Sequence, residues 1–439
     1  RHPTGAIATF AGRVCILPVL RLWLDFPMWL YHYWWFHHGT GHVSQDGLPV
    51  RQGVTVSRKH RYGPHPLEEL DILSPTVDRS DKVDRGALIF VHGGGWVAVN
   101  REVMSQSVTP FVRAGYTVYS IDYPLAPENR FPTPLISVLR ATAWIKRRTG
   151  DNSLTLVGDS AGGNLATMAA AVLSNQAKLL PMISLAARTS AAAEPAAADE
   201  TSGIDKAAVR TLLDPLTAPV LTVEQWDFPV VNRVVSMYGV VDSQAWRDPL
   251  VPSDGIDTIL LQIMWCGTAT LLDFCFTCYA PLPGTPTAEL TIAKHLTLGD
   301  LLVCSGGAEP LEHQCIGIDT YPPTLLICGS ADPLVRANRK VQKLLVERLG
   351  VSCTLKEFPG PHAFHGIPPQ WTLDGWRSNS YPTTRDMIHF LTGGDLSLPE
   401  DTIFQPHDWS LPFVLAAHVI IPVISMWQLA ELVFEENAW

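Results

Sequence analysis

Charged side chains are scarce in this chain, 17% of residues against 46% hydrophobic, and no Asn-x-Ser/Thr acceptor occurs anywhere. The shortage of charge is unusual for a wholly soluble protein and puts membrane contact in play. The missing acceptor leaves no glycosylation argument for secretion. Mean hydropathy is +0.12. Basic residues are the minority, 32 against 42 acidic, and the net charge of −10 argues against nucleic acid as a partner while saying nothing of fold. Eight cysteines in 439 residues are too few for a disulfide scaffold. "CFTC" (Cys275 to Cys278) has the spacing of half a zinc site, but Cys266, Cys304, His313 and Cys315 form no second compact pair, so no metal is expected. The three glycines of "FVHGGGWVAVN" are followed by no Lys-Ser/Thr and do not meet G-x-G-x-x-G, so a nucleotide cradle lacks support.

Two apolar end segments stand out. "VCILPVLRLWLDFPMWLYHYWWF" (14–36) is rich in Trp and Tyr but is broken by Arg21, Asp25 and two prolines, which favours an interfacial segment or a lid over a clean span. "LPFVLAAHVIIPVISMWQLA" (411–430) carries no formal charge yet holds His418, Gln428 and Pro422, so membrane span, interfacial helix and buried packing helix all stay open. The sequence begins at Arg1, and a preceding targeting segment is left open. Membrane-associated (the endoplasmic reticulum included) and cytoplasmic locations both fit.

From Gly86 onward the chain alternates strand and helix patterns. "GALIFVHGGG" and "YTVYSIDY" read as strands, "TPLISVLRATAWIKRR" as a helix, and "SLTLVGDSAGG" as a strand running into a tight turn. This alternation predicts βαβ units and a mostly parallel sheet. "AARTSAAAEPAAADETSG" (186–203) is alanine-rich and reads as a linker, and no clear repeat follows it until "YPPTLLICGSADPL". The expected organisation is an aromatic cap or interface segment over 1–50 and core over 51–185. A linker and cap insertion follow over 186–318, core again over 319–395, and an apolar tail over 396–439.

"GDSAGG" satisfies G-x-S-x-G between a strand and a helix, where a sharp turn lifts a serine hydroxyl above the sheet. Ser160 is therefore the candidate nucleophile. A serine needs a base, and the base an orienting acid. Asp332 follows the strand "TLLIC" and is the best acid, although "DPL" also suits a helix cap. Asp319 precedes that strand and points to the wrong edge. In "PGPHAFHG", His362 is favoured as base, with His365 lining the pocket or supporting from behind.

The motifs "HGGGW", "YPLAPENRFPTPL", "GDSAGGN", "DPL" and "HAF", in that order, resemble the hormone-sensitive-lipase family of α/β-hydrolases, which includes arylacetamide-deacetylase-like and steryl-acetate hydrolases. The resemblance covers roughly 86–185 and 320–392. It implies a mostly parallel eight-stranded sheet flanked by helices, a cap built from the N-terminal segment and an insertion, and hydrolysis of carboxylic esters without a cofactor. Carried onto this sequence, it makes Ser160 the nucleophile, His362 the base and Asp332 its acid. Gly93, Gly94 and Ala161 become the oxyanion-hole donors, supported by His92, Gly95, Gly158, Asp159 and Gly162, with Trp96 lining the substrate pocket. Two departures matter. Pro124 stands where the family has Arg after the motif's tyrosine, which removes an ion-pair donor near Glu128. Asp332 also lies farther from Ser160 than the family's usual gap. An apolar or lipid-like ester is the expected substrate and a membrane surface a candidate partner. The alternatives are a non-catalytic receptor on the same fold, as in gibberellin receptors, and an amidase or formamidase with the same triad.

Overall fold

A computed structural model describes residues 21, 54–76, 84–102, 105–193, 226–244, 259–305, 316–330, 332–358, 362 and 382–394. The aromatic segment apart from Arg21, the apolar 411–430 segment and His365 lie outside them. Among the described residues no helix is long and apolar enough to cross a membrane.

Eight strands form one sheet: β1 (Val54–Arg61), β2 (Glu69–Pro75), β3 (Ala87–Val91), β4 (Thr117–Ile121), β5 (Ser153–Asp159), β6 (Val230–Met237), β7 (Thr324–Gly329) and β8 (Cys353–Phe358). Their order is β1-β2-β4-β3-β5-β6-β7-β8. β2 pairs antiparallel with both β1 and β4, and every pairing from β4 through β8 is parallel. The residues explain the positions. β3, "ALIFV", and β7, "TLLICG", are buried along their whole length, as central strands covered on both faces must be. β1 and β8 each have one buried residue and are otherwise half-buried or exposed, as strands at a rim are.

Among the described residues the longer helices are α1 (Ser105–Arg113), α2 (Thr133–Thr149), α3 (Ala161–Ser174), α4 (Gln176–Ala193), α5 (Ile259–Tyr279), α6 (Leu298–Val303), α7 (Val335–Leu349) and α8 (Pro382–Thr392). α3 is buried along nearly its whole length, because alanines and glycines let it lie close against the sheet. Leu88, Ile89, Phe90, Leu156, Val157, Val234, Val235, Leu326 and Ile327 have no exposed surface. Each contributes about 1.5–3 kcal/mol through burial.

The expected division at 186 does not match the architecture. α4 runs to Ala193, with Ala186 and Ala187 buried, because an alanine run is a strong helix former before it is a linker. The expected insertion also contributes β6, which is hydrogen-bonded between β5 and β7 in the middle of the sheet. Residues 186–318 therefore include part of the core. Cys275 and Cys278 lie buried on α5 and are not disulfide-bonded, whereas Cys304 is disulfide-bonded.

Register brings the carboxyl ends of the central strands to one edge. Val91 of β3 pairs with Gly158 of β5, and Asp159 with Met237 of β6. The chain leaving β3 at His92 therefore runs beside the turn at Ser160.

Candidate active site

Ser160 sits between β5 and α3 with φ 50° and ψ −118°, a conformation that costs a non-glycine residue on the order of 1–3 kcal/mol. Its peptide is held on both sides. The Ser160 N–H donates to the Met237 carbonyl at 2.9 Å, and the Ser160 carbonyl accepts from Asn164 N–H at 3.1 Å and Val240 N–H at 3.3 Å. Close approach needs the glycines beside it. A Cβ on Gly162 would collide with the carbonyls of Val91 and His92, and one on Gly158 with the carbonyl of Gly162.

The structure brings Ser160, His362 and Asp332 into one hydrogen-bonded line. Ser160 Oγ lies 2.9 Å from His362 Nε2, and His362 Nδ1 lies 2.9 Å from Asp332 Oδ2. Asp332 is completely buried, and its Oδ1 accepts the Leu334 N–H at 2.8 Å. It thus faces the histidine with one oxygen and secures its own loop with the other. His362 keeps 14% of its side-chain surface, so the line opens outward at the base. The edge of the Tyr238 ring meets the imidazole, centroids 5.3 Å apart, a contact that no sequence motif announced.

The glycine turn departs from the expectation at one donor. Gly93 N–H donates to Asp159 Oδ1 at 2.9 Å and is not free for an incoming oxyanion. The N–H groups of Gly94, Gly95 and Ala161 meet no acceptor among the described residues. At Ala161 this is the ordinary state of a first helical residue, whose N–H has no partner within the helix. Gly94 adopts φ 88°, and a Cβ there would strike the Ala98 carbonyl. Burial pushes the Asp159 carboxyl up to about 7, against the Gly93 hydrogen bond, which favours its ionised form.

His92 is buried below the turn. Its Nδ1 lies 2.9 Å from the Gly93 carbonyl, and its ring stacks on Tyr123 at 4.4 Å between centroids. Tyr123 O–H donates to the carbonyls of His92 at 2.9 Å and Gly93 at 3.1 Å, a brace the sequence did not signal. Trp96 was expected to line the pocket. Instead its side chain has no exposed surface and stacks flat on Tyr279 at 4.6 Å, so it packs the turn against α5. Gly95 lies against Cys275 of the same helix. Beneath these groups Arg101 pairs with Asp71 at 3.0 Å, Glu69 at 3.1 Å, and Asp122. Burial raises the Asp122 carboxyl to about 6 while Arg101 opposes the rise. The ion pair expected to be lost at Pro124 is supplied from far upstream, since Arg21 reaches Glu128 at 2.7 Å. Among the described residues no group of three or more His, Cys, Asp or Glu is placed to hold a metal ion.

Residues 88–251 match the family model described as alpha/beta hydrolase fold. Esterase LipC of Mycobacterium tuberculosis is 36% identical over 120 residues, 26% of this chain and 29% of LipC. Hormone-sensitive lipase of Mus musculus is 38% identical over 92 residues, 18% of this chain and 12% of the lipase. The chain thus spans less than a third of the length of either relative. The crystal structure of esterase B from Lactobacillus rhamnosis superposes with a TM-score of 0.51 at 16% identity, covering 79% of this chain and 87% of that one. This last likeness concerns the fold.

Proposed function

We propose that the chain, whose residues 88–251 match the alpha/beta hydrolase fold and part of which is similar to hormone-sensitive lipase, is a hormone-sensitive-lipase-like hydrolase that cleaves apolar carboxylic esters through Ser160. The observation that carries the proposal is the continuous line Ser160 Oγ, His362, Asp332 with 2.9 Å at each step. In this reading Ser160 Oγ attacks the ester carbonyl while His362 Nε2 takes its proton. Asp332 holds the imidazole by Nδ1–H and stabilises the imidazolium that forms. The carbonyl oxygen, becoming negative, receives the N–H groups of Gly94, Gly95 and Ala161. Removing one such donor typically costs about 100- to 1,000-fold in turnover, so their placement governs rate more than binding. The protonated His362 then passes its proton to the leaving alcohol. Water, activated by the same imidazole, attacks the acyl group on Ser160 and releases the acid.

The preference for apolar esters rests on the sequence: a Trp- and Tyr-rich segment over 14–36 and an uncharged apolar segment over 411–430 supply apolar surface suited to lipid-like substrates or a membrane interface. A panel of nitrophenyl esters from acetate to palmitate, with triacylglycerol and steryl acetate beside it, tests both parts. Hydrolysis by the parent and none by Ser160→Ala supports the reading, and a parent inactive across the panel sinks it.

A further inference from the structure

Arg21 is distant in sequence from the residues it touches, 76 positions from Val97 and 107 from Glu128. Its guanidinium makes four hydrogen bonds. Nε donates to the Val97 carbonyl at 2.8 Å and Nη2 to the Ala126 carbonyl at 3.0 Å, while Nη1 and Nη2 grip the two oxygens of Glu128 at 3.0 and 2.7 Å. The two carbonyls belong to two segments that meet beside the glycine turn. Ala126 N–H donates to the Trp96 carbonyl at 2.8 Å, and the N–H groups of Val97 and Ala98 both return to the Gly94 carbonyl at 3.1 Å. The far side of the turn carrying Gly94 and Gly95 is therefore tied to Arg21 through the Val97 peptide.

Magnitudes separate the parts of this contact. Arg21 and Glu128 keep 30% and 57% of their side-chain surface, and an exposed pair of this kind contributes little because solvent screens it. The carbonyl bonds are different in kind, because a planar guanidinium fork fixes the relative position of the two segments it bridges. Glu128 orients the fork; Val97 and Ala126 receive it.

We infer that Arg21 is a positioning residue for the oxyanion turn: its guanidinium locks the Val97 peptide and so sets where the Gly94 and Gly95 N–H groups stand relative to Ser160. The inference rests on the ester-hydrolase reading of the site. It makes turnover depend on the Arg21 guanidinium, the one cation in the run "VLRLWL".

The test compares the full chain with Arg21→Ala, Arg21→Lys and Glu128→Gln. The readouts are kcat and KM on nitrophenyl butyrate, the melting temperature, and hydrogen exchange of the peptide covering 93–99. Arg21→Ala should lower kcat by about 10- to 100-fold, the scale set by an ångström of misplacement, and leave KM within about twofold. Exchange in 93–99 should rise in the same variant, and added methylguanidinium should restore part of kcat. Arg21→Lys, a point charge without the fork, should fall between Arg21→Ala and the parent. Glu128→Gln, which keeps both carbonyl bonds, should lose less than Arg21→Ala. Unchanged kcat and unchanged exchange in Arg21→Ala overturn the inference. So does a loss of kcat that follows the melting temperature alone and does not respond to methylguanidinium. An inactive parent would instead sink the hydrolase reading, and the exchange of 93–99 would still decide whether Arg21 holds the turn.

Discussion

Asp332 presents Oδ2 to His362 Nδ1 at 2.9 Å while its Oδ1 takes the Leu334 N–H at 2.8 Å, with no surface left to water. Asparagine at this position can keep the loop contact but offers the imidazole an amide instead of a charge. Asp332→Asn should therefore reduce kcat on a nitrophenyl ester by about 10,000-fold, the scale for a triad histidine left in the wrong tautomer. Its melting temperature should stay close to the parent's. Steady-state kinetics beside a thermal melt check both halves, and a variant within tenfold of the parent would remove Asp332 from the site.

Asp159 predicts a pH effect on stability. Its carboxyl is raised from 3.8 to about 7 by burial, so the folded chain holds a proton that the unfolded chain has already released. Stability from this group is full below pH 4 and falls as pH rises towards 7. Asp159→Asn retains an oxygen for the Gly93 N–H and has nothing to ionise. The melting temperature of the variant minus that of the parent should therefore grow between pH 5 and pH 8, by on the order of 5 °C. A constant difference would contradict the assignment.

Arg101 is held by Asp71, Asp122 and Glu69 under the glycine turn. Arg101→Met removes the charge that offsets two buried carboxylates and should cost about 3–5 kcal/mol in urea unfolding. The Asp122 carboxyl, already raised to about 6, would climb further without its cation. The loss should thus be smaller at pH 5, where protonation relieves the site, than at pH 8.

Much of this arrangement was legible in the sequence because it is local. The strand, turn and helix around "GDSAGG" are written within about twenty residues, and the wholly buried β3 and β7 appear as the apolar runs "ALIFV" and "LLIC". β6 was not legible. Asn232 and Arg233 interrupt its pattern, it follows a low-complexity stretch, and only pairing with β5 and β7 makes it a central strand. The choice among Gly93, Gly94 and Gly95 was equally hidden, since three identical residues differ only in what their N–H groups meet. The carboxylate of Asp159 decides against Gly93. Trp96 followed the same logic: its aromatic character suggested a pocket wall, and its contact with Tyr279 makes it packing. Arg21 had no local signal, because its partners stand 76 to 107 positions away.

The central claim is that His362 activates Ser160 as a nucleophile. The most direct measurement is labelling of the full chain by a fluorophosphonate, with the modified residue located by mass spectrometry and rates compared between parent and His362→Ala. The account predicts a single adduct on Ser160, none in Ser160→Ala, and labelling slowed by about 1,000-fold or more in His362→Ala. An adduct elsewhere, or equal rates in the parent and His362→Ala, would contradict it.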